Sequence, residues 1–259
     1  MTPEMTLSQV RLQVDAESGV ARITLDNPDR RNALSRLMVA ELSGALARAD
    51  ADPAARVVLL DANGPDFCAG ADLREVQASV EEGVLASLTD AEALGNLFIQ
   101  IRRMDKPVVS AVHGRALAGG CGLATACDMV LAAADAEFGY PEVRLGFVPA
   151  MVIAILRRSV GEKRAFELVA LGNSIGAARA LAIGLVNKAF ESDGFELEAL
   201  ETARELAARS ASALSLTKRL LYQVEGASFE DAIRAGAEVN ALARLTPDCQ
   251  AGIKRFLDR

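Results

Sequence analysis

An α/β fold is predicted by three features of the sequence. Short runs of β-branched and other apolar residues recur through the first two-thirds, stretches with helical periodicity separate them, and the final quarter is helical throughout. The run at 20–25 (VARITL) alternates and is rich in β-branched residues, as a strand should be. Asp26-Asn27-Pro28-Asp29 has turn chemistry, and Asn32 is placed to cap a helix in which Leu34, Met38, Leu42 and Leu46 recur at i+4. Residues 57–60 (VVLL) form a wholly apolar run, the kind buried on both faces, which Asn63-Gly64-Pro65 ends. Leu94, Leu97, Phe98, Ile101 and Met104 make one helical stripe. A second buried strand is expected over 107–112, followed by Gly114, and a third over 129–133. Between them, residues 116–127 begin glycine-rich and continue helix-friendly.

From about Gly161 the strand signal fades, and 196–209, 213–225 and 229–245 read as helices. Ser228 with Asp231 resembles a capping box, and Thr246-Pro247 is a cap followed by proline at the first helical position. The expected division is a core over 1–195 and a helical region over 196–259.

Composition narrows the classes of function. The chain has 259 residues with 28 Lys plus Arg against 35 Asp plus Glu, a net charge of −7, and 51% of its residues are hydrophobic. That balance suits a sizeable core and excludes whole-chain disorder. Net acidity argues against nucleic acid as a partner. His113 is the one histidine, which speaks against a His-rich metal centre, and no metal site is expected. Cys68, Cys121, Cys127 and Cys249 form no CxxC pair and read as reduced, buried thiols of a cytoplasmic protein. The opening MTPEMTLSQVRLQVD has no signal-peptide pattern, and no apolar run approaches the ~20 residues a membrane span needs.

Three segments carry candidate chemistry. FCAGADL at 67–73 follows a strand and a turn, and its small residues let a ligand approach the backbone closely. HGRALAGGCG at 113–122 places glycines at the opening of a helix, where the first N–H groups have no internal partner and carry partial positive charge. Two such donors, one from each segment, could hold a thioester oxygen as it becomes an enolate. FGYPE at 138–142 puts a single carboxylate, Glu142, among apolar neighbours.

In this order the segments resemble the crotonase family, the enoyl-CoA hydratase/isomerase superfamily. The likeness runs through NPDRRNALS at 27–35, FCAGADL at 67–73, KPVVSAVHGRALAGGCGLATACD at 106–128, AEFGYPEVRLGFVPA at 136–150 and DCQAGIKRFL at 248–257. The resemblance implies a spiral of ββα units whose C-terminal helices build a homotrimer or a dimer of trimers. It implies an acyl-CoA thioester as substrate, with coenzyme A part of that substrate and no separate cofactor. By motif position the amides of Ala71 and Gly119 would hold the oxygen and Glu142 would be the acid/base. Ala69, Asp72, Leu73, Gly120, Tyr140 and Ala150 would line the substrate path, Arg31 and Arg74 would meet its phosphates, and Phe256 would reach a neighbouring subunit's coenzyme A.

Two departures from the family pattern matter. The first of two glutamates used by the best-known hydratases falls at Gly122, and Ala118 replaces the first glycine of a common GGG. One carboxylate suffices to move a double bond between the β,γ and α,β positions. It also serves for hydration if the same group deprotonates water and then protonates C2. Hydration of a 2-enoyl-CoA is the leading expectation because PEVRLGFVPA resembles a hydratase branch in which glycine often occupies this place. Δ3,Δ2-isomerisation is the alternative, and a low-activity CoA-ester-binding scaffold is a further one. Glu75, Glu81, Glu82 and Asp90 are candidates for a replacement carboxylate.

Overall fold

The computed structural model describes residues 5–258; positions 1–4, within the stretch where no signal peptide is expected, lie outside them. The sheet begins with β1 (Met5–Thr6), β2 (Val10–Asp15) and β3 (Val20–Leu25) as an antiparallel meander. Then α1 (Arg36–Ala51) crosses over to β4 (Val57–Ala62), parallel to β3 with Val20 opposite Val57. A helix pair, α2 (Leu73–Glu82) and α3 (Val84–Arg103), leads to β5 (Val108–Val112). The chain continues through β6 (Arg115–Leu117), α4 (Gly119–Ala126), β7 (Met129–Ala133) and β8 (Glu137–Gly139). It then runs through α5 (Ala150–Val160), α6 (Glu162–Leu171), β9 (Ile175–Gly176), α7 (Ala177–Ala182) and β10 (Lys188–Phe190). Four helices close it: α8 (Phe195–Ala207), α9 (Ala211–Gln223), α10 (Phe229–Arg244) and α11 (Pro247–Leu257).

Seven strands form one sheet in the order β1-β2-β3-β4-β5-β7-β10, parallel from β3 onward, and β6-β8-β9 form a second, small sheet. The wholly apolar strands follow from burial on both faces. Val58 and Leu60 of β4 join the large core beneath α1, α3 and α4, whereas Val57 and Leu59 point to a second layer with Phe195, Ala199, Ala203 and Ala207 of α8. The same alternation places Val130 and Ala132 of β7 in the first layer and Leu131 and Ala133 in the second. So α8 lies on the sheet, while α10 and α11 bury no residue within this chain.

Helix starts show one correction. Asn32 does not cap α1; Ser35 does, its hydroxyl accepting from the Met38 N–H at 3.0 Å. Asn32 is fully buried with φ +52, and its side chain bridges the Asn27 N–H with the carbonyls of Asn63 and Asp66 at 2.8–2.9 Å. It therefore ties the NPDRRNALS loop to the strand end that precedes FCAGADL. The expected caps at Ser228 and Thr246 are present.

The helix α9 is pinned to the core by a buried cation. Lys218 Nζ lies 2.8 Å from Asp128 Oδ2 and donates to the carbonyls of Ile101 and Lys106 at 2.8 and 2.9 Å. Tyr222 donates to the other Asp128 oxygen at 2.8 Å. Removing one partner of such a pair leaves a charge without compensation. Lys218→Met is expected to lower unfolding free energy by about 2–3 kcal/mol, below the largest buried-pair losses because Asp128 keeps Tyr222 and the Val108 N–H. An unshifted denaturant midpoint would remove this account of how α9 is held.

Candidate active site

FCAGADL lies beside β6 and the α1 entrance rather than in a sheet of its own. The Cys68 N–H donates to the Arg115 carbonyl and the Cys68 carbonyl accepts from the Leu117 N–H; the Ala69 N–H donates to the Arg31 carbonyl. The Leu34 N–H donates to the Gly70 carbonyl at 2.8 Å, so Ala71 bridges Leu34. These bonds occupy the neighbouring backbone groups, and among the described residues the Ala71 N–H has no partner.

The second donor sits at the first helical position of α4. Ala118, the residue before it, has φ +49 and ψ −124, a conformation that suits glycine better than alanine. The bond from its N–H to the Gly139 carbonyl at 2.8 Å holds it there. This turn presents the Gly119 N–H, which also has no partner among the described residues. The two segments touch. A Cβ on Gly70 (φ +93) would lie 2.9 Å from the Ala118 Cβ and 3.5 Å from the Gly119 nitrogen. A Cβ on Gly120 would lie 2.4 Å from the Cys68 carbonyl oxygen, so glycine there permits the contact. Leu34, which bridges Ala71, is also 3.4 Å from the Cβ position of Gly119.

Glu142 lies in a 3-10 turn, Pro141–Leu145, that leaves β8 and ends at left-handed Gly146. Its side chain is buried, and its Oε2 has no hydrogen-bond partner. Burial raises its pKa above the ordinary carboxylate value, and its own backbone N–H only partly offsets this. Burial raises the pKa of Cys121 on α4 and of Tyr140, and the Glu142 charge adds a smaller push to both. Tyr140 is buried beside Cys121 and Thr125, and among the described residues its hydroxyl has no hydrogen-bond partner.

Packing leaves no room for a side chain at Gly122. A Cβ there would fall 2.3 Å from Val152 Cγ1 and 3.1 Å from Phe98 Cζ. The space that a first glutamate needs is filled by two apolar side chains. The proposed substitutes are committed elsewhere: Glu75 accepts from the Arg36 N–H, and Glu82 and Asp90 pair with the Arg36 guanidinium. Glu81 is exposed. Cys68 and Cys121 are buried thiols with pKa pushed up to about 12, as packing residues should be.

The other candidates divide. Asp72 caps α2 by accepting from the Arg74 N–H at 2.9 Å, with Arg30 at 3.5 Å. Leu73 and Arg74 are exposed at that helix start, and Ala69 is half-buried beside Arg31. Arg31 is exposed, 4.0 Å from Asp66, whose bidentate partner is Arg115 at 2.7 and 2.8 Å. Ala150 is exposed, and its N–H donates to the Val148 carbonyl at 2.8 Å, so that amide is occupied within the chain. Phe256 is exposed on α11, which packs on α9 and α10, and is not brought to the site of its own chain. Among the described residues no group of His, Cys, Asp and Glu could hold a metal, and no helix is long and apolar enough to cross a membrane.

The model of the enoyl-CoA hydratase/isomerase family matches residues 15–259. The chain belongs to this family. As a hydratase/isomerase-family chain it is 41% identical over 247 residues to a Thermus thermophilus protein, named provisionally as an enoyl-CoA hydratase, covering 95% of this chain and 98% of that one. It is 35% identical to the 2,3-dehydroadipyl-CoA hydratase of Escherichia coli, covering 96% of each. The crystal structure of a Mycobacterium smegmatis enoyl-CoA hydratase matches at a TM-score of 0.93 with 30% identity, covering 97% of each chain. The α/β crotonase fold expected from the sequence is therefore established, together with its helical C-terminal region.

Proposed function

We propose that this family member is an enoyl-CoA hydratase that adds water to a 2-enoyl-CoA with Glu142 as its one acid/base. The observation that supports this most is the pairing of a buried carboxylate oxygen without a partner with two backbone amides, at 71 and 119, that also lack one. Glu142 takes a proton from water as its oxygen bonds to C3. The π electrons move toward the thioester oxygen, where the two amides stabilise the enolate. The electrons then return, and C2 takes the proton from Glu142. Water is consumed, and the carboxylate is regenerated.

In this reading the substrate's own phosphates meet Arg31 or Arg74, and Phe256 of a second copy completes the coenzyme A path in a homotrimer or dimer of trimers. The reading places the enzyme in the cytoplasm. A second reading has a specific basis. Val152 and Phe98 leave no room for a first glutamate, and a lone carboxylate can shuttle a proton between C2 and C4 of a 3-enoyl-CoA. Incubation with crotonyl-CoA, 3-methylglutaconyl-CoA and a 3-enoyl-CoA separates the readings. Loss of the 2-enoyl chromophore is the expected result; its appearance from the 3-enoyl ester would replace hydration by isomerisation, and silence on all three would leave a CoA-ester scaffold.

A further inference from the structure

The helix α2 begins two residues after Ala71 and α3 passes Gly119 at Leu94, but little packing holds the ends where the two helices meet. Of α2, only Ser79 is buried, while Leu73 and Val80, with Val84, Leu85 and Leu88 at the start of α3, are 52–81% exposed. The far half of α3 is different: Leu97, Phe98 and Ile101 are buried, Leu94 lies 3.4 Å from the Cβ position of Gly119, and Phe98 fills the space beside Gly122. A segment with one packed end and one apolar, exposed end needs some other restraint to hold its position.

That restraint converges on one residue at the first position of α1. The Arg36 N–H, which no helical carbonyl can satisfy, donates to Glu75 Oε2 at 2.6 Å. Its guanidinium reaches Glu82 at the end of α2 (Nη2 to Oε2, 2.8 Å) and Asp90 in α3 (Nε to Oδ1, 2.8 Å; Nη2 to Oδ2, 2.9 Å). A guanidinium fork is suited to two carboxylates arriving from different helices, and an ammonium is not. Among the described residues Arg36 is the only cation paired with Glu82 and Asp90, so its removal would leave these carboxylates repelling one another around the start of α1.

We propose that Arg36 is an ionic latch that positions the α2–α3 flap over the acyl-CoA site and so sets affinity for the acyl-CoA ester rather than the rate of the chemical step. The inference rests on the site assigned under Proposed function, but the latch itself can be read without turnover. Each ion pair is half-exposed, and such pairs weaken in salt.

The test uses the full-length protein and hydrogen exchange of residues 73–90, with KM and kcat measured in parallel on the ester that proves to be the substrate. Arg36→Gln is expected to speed exchange in 73–90 by about tenfold or more and raise KM about 5–10-fold, with kcat within twofold. Arg36→Lys should fall between the two. In the wild type, raising salt from about 0.05 to 0.5 M should speed exchange in the same segment, and Arg36→Gln should no longer respond. Glu82→Gln with Asp90→Asn, which leaves the α1 start intact, should reproduce Arg36→Gln. Unchanged exchange over 73–90 in either variant overturns the latch. Exchange that rises while kcat falls as much as KM rises also overturns it, by showing a general structural role. If the protein proves inactive on every ester, the site reading fails, yet the exchange result still decides whether the latch exists.

Discussion

Glu142→Gln is expected to lower turnover by at least about 100-fold while leaving binding of the CoA ester largely unchanged. The amide keeps the shape of the carboxyl group but can neither take water's proton nor return one to C2. Binding is retained in the proposed reading because the donors it assigns to the thioester oxygen are the amides at 71 and 119, and the substitution touches neither. Single-turnover rates measured beside CoA-ester affinity would separate the two effects; a full wild-type rate in the variant would place the base elsewhere. Two pH effects follow from the burial of Glu142, which raises its pKa. As a base it must be ionised, so the acidic limb of the kcat/KM profile should lie above the ordinary carboxylate range and vanish from the residual activity of the variant. The folded state holds this proton more tightly than the unfolded chain does. The stability that Glu142 contributes is therefore present below its unfolded pKa and lost as pH rises through the folded one. Gln removes that loss. At pH 7.5 the variant should melt higher by about 1–3 °C, and the advantage should shrink to nothing as pH falls below the ordinary carboxylate value.

How far the site was legible before any coordinates depends on what kind of interaction builds it. The strands at 57–60, 107–112 and 129–133 were readable because burial on both faces demands runs of apolar residues, and that at 20–25 because it alternates and is rich in β-branched residues; all four are strands within one or two residues. The Val10–Asp15 strand alternates too, in Val10, Leu12 and Val14. The small strands β6, β8, β9 and β10 have two or three residues each, too few for any period to show. They exist because neighbouring backbone supplies their hydrogen bonds. The helical stripe at 94–104 marked only the buried half of α3; its first half buries no residue, and α2 buries only Ser79. Ser35 rather than Asn32 caps α1 because Asn32 is drawn into a buried bridge between the nearby Asn27 N–H and two carbonyls 31 and 34 residues away. The motif glycines pointed to the right loops, but that Gly120 permits contact with Cys68 and Gly122 with Val152 are long-range facts. Arg36 carried no signal at all. Its three carboxylates lie 39, 46 and 54 residues away, and only the fold brings them together.

The second large effect is expected from Gly122→Glu, which adds back the carboxylate that two-glutamate hydratases use. Sequence comparison alone would suggest a gain of activity. Packing predicts the reverse. The Cβ alone would sit 2.3 Å from Val152 Cγ1 and 3.1–3.3 Å from the Phe98 ring, and both neighbours are buried, 3% and 4% exposed. Forcing a methyl group into a filled core costs typically 1–3 kcal/mol. A carboxylate buried there without a partner adds several more, so the full loss should be on the order of 5 kcal/mol, enough to unfold a marginally stable domain. Gly122→Ala should fold with a lowered urea midpoint, whereas Gly122→Glu should be insoluble or lose its cooperative transition. Adding Val152→Ala to Gly122→Glu removes the closest obstruction and should recover a folded protein. If Gly122→Glu by itself unfolds at the wild-type midpoint, the Phe98–Val152 plug is not rigid. If the double variant folds and hydrates faster than wild type, the missing carboxylate limits the reaction. If it folds and hydrates no faster, Glu142 already performs both proton transfers.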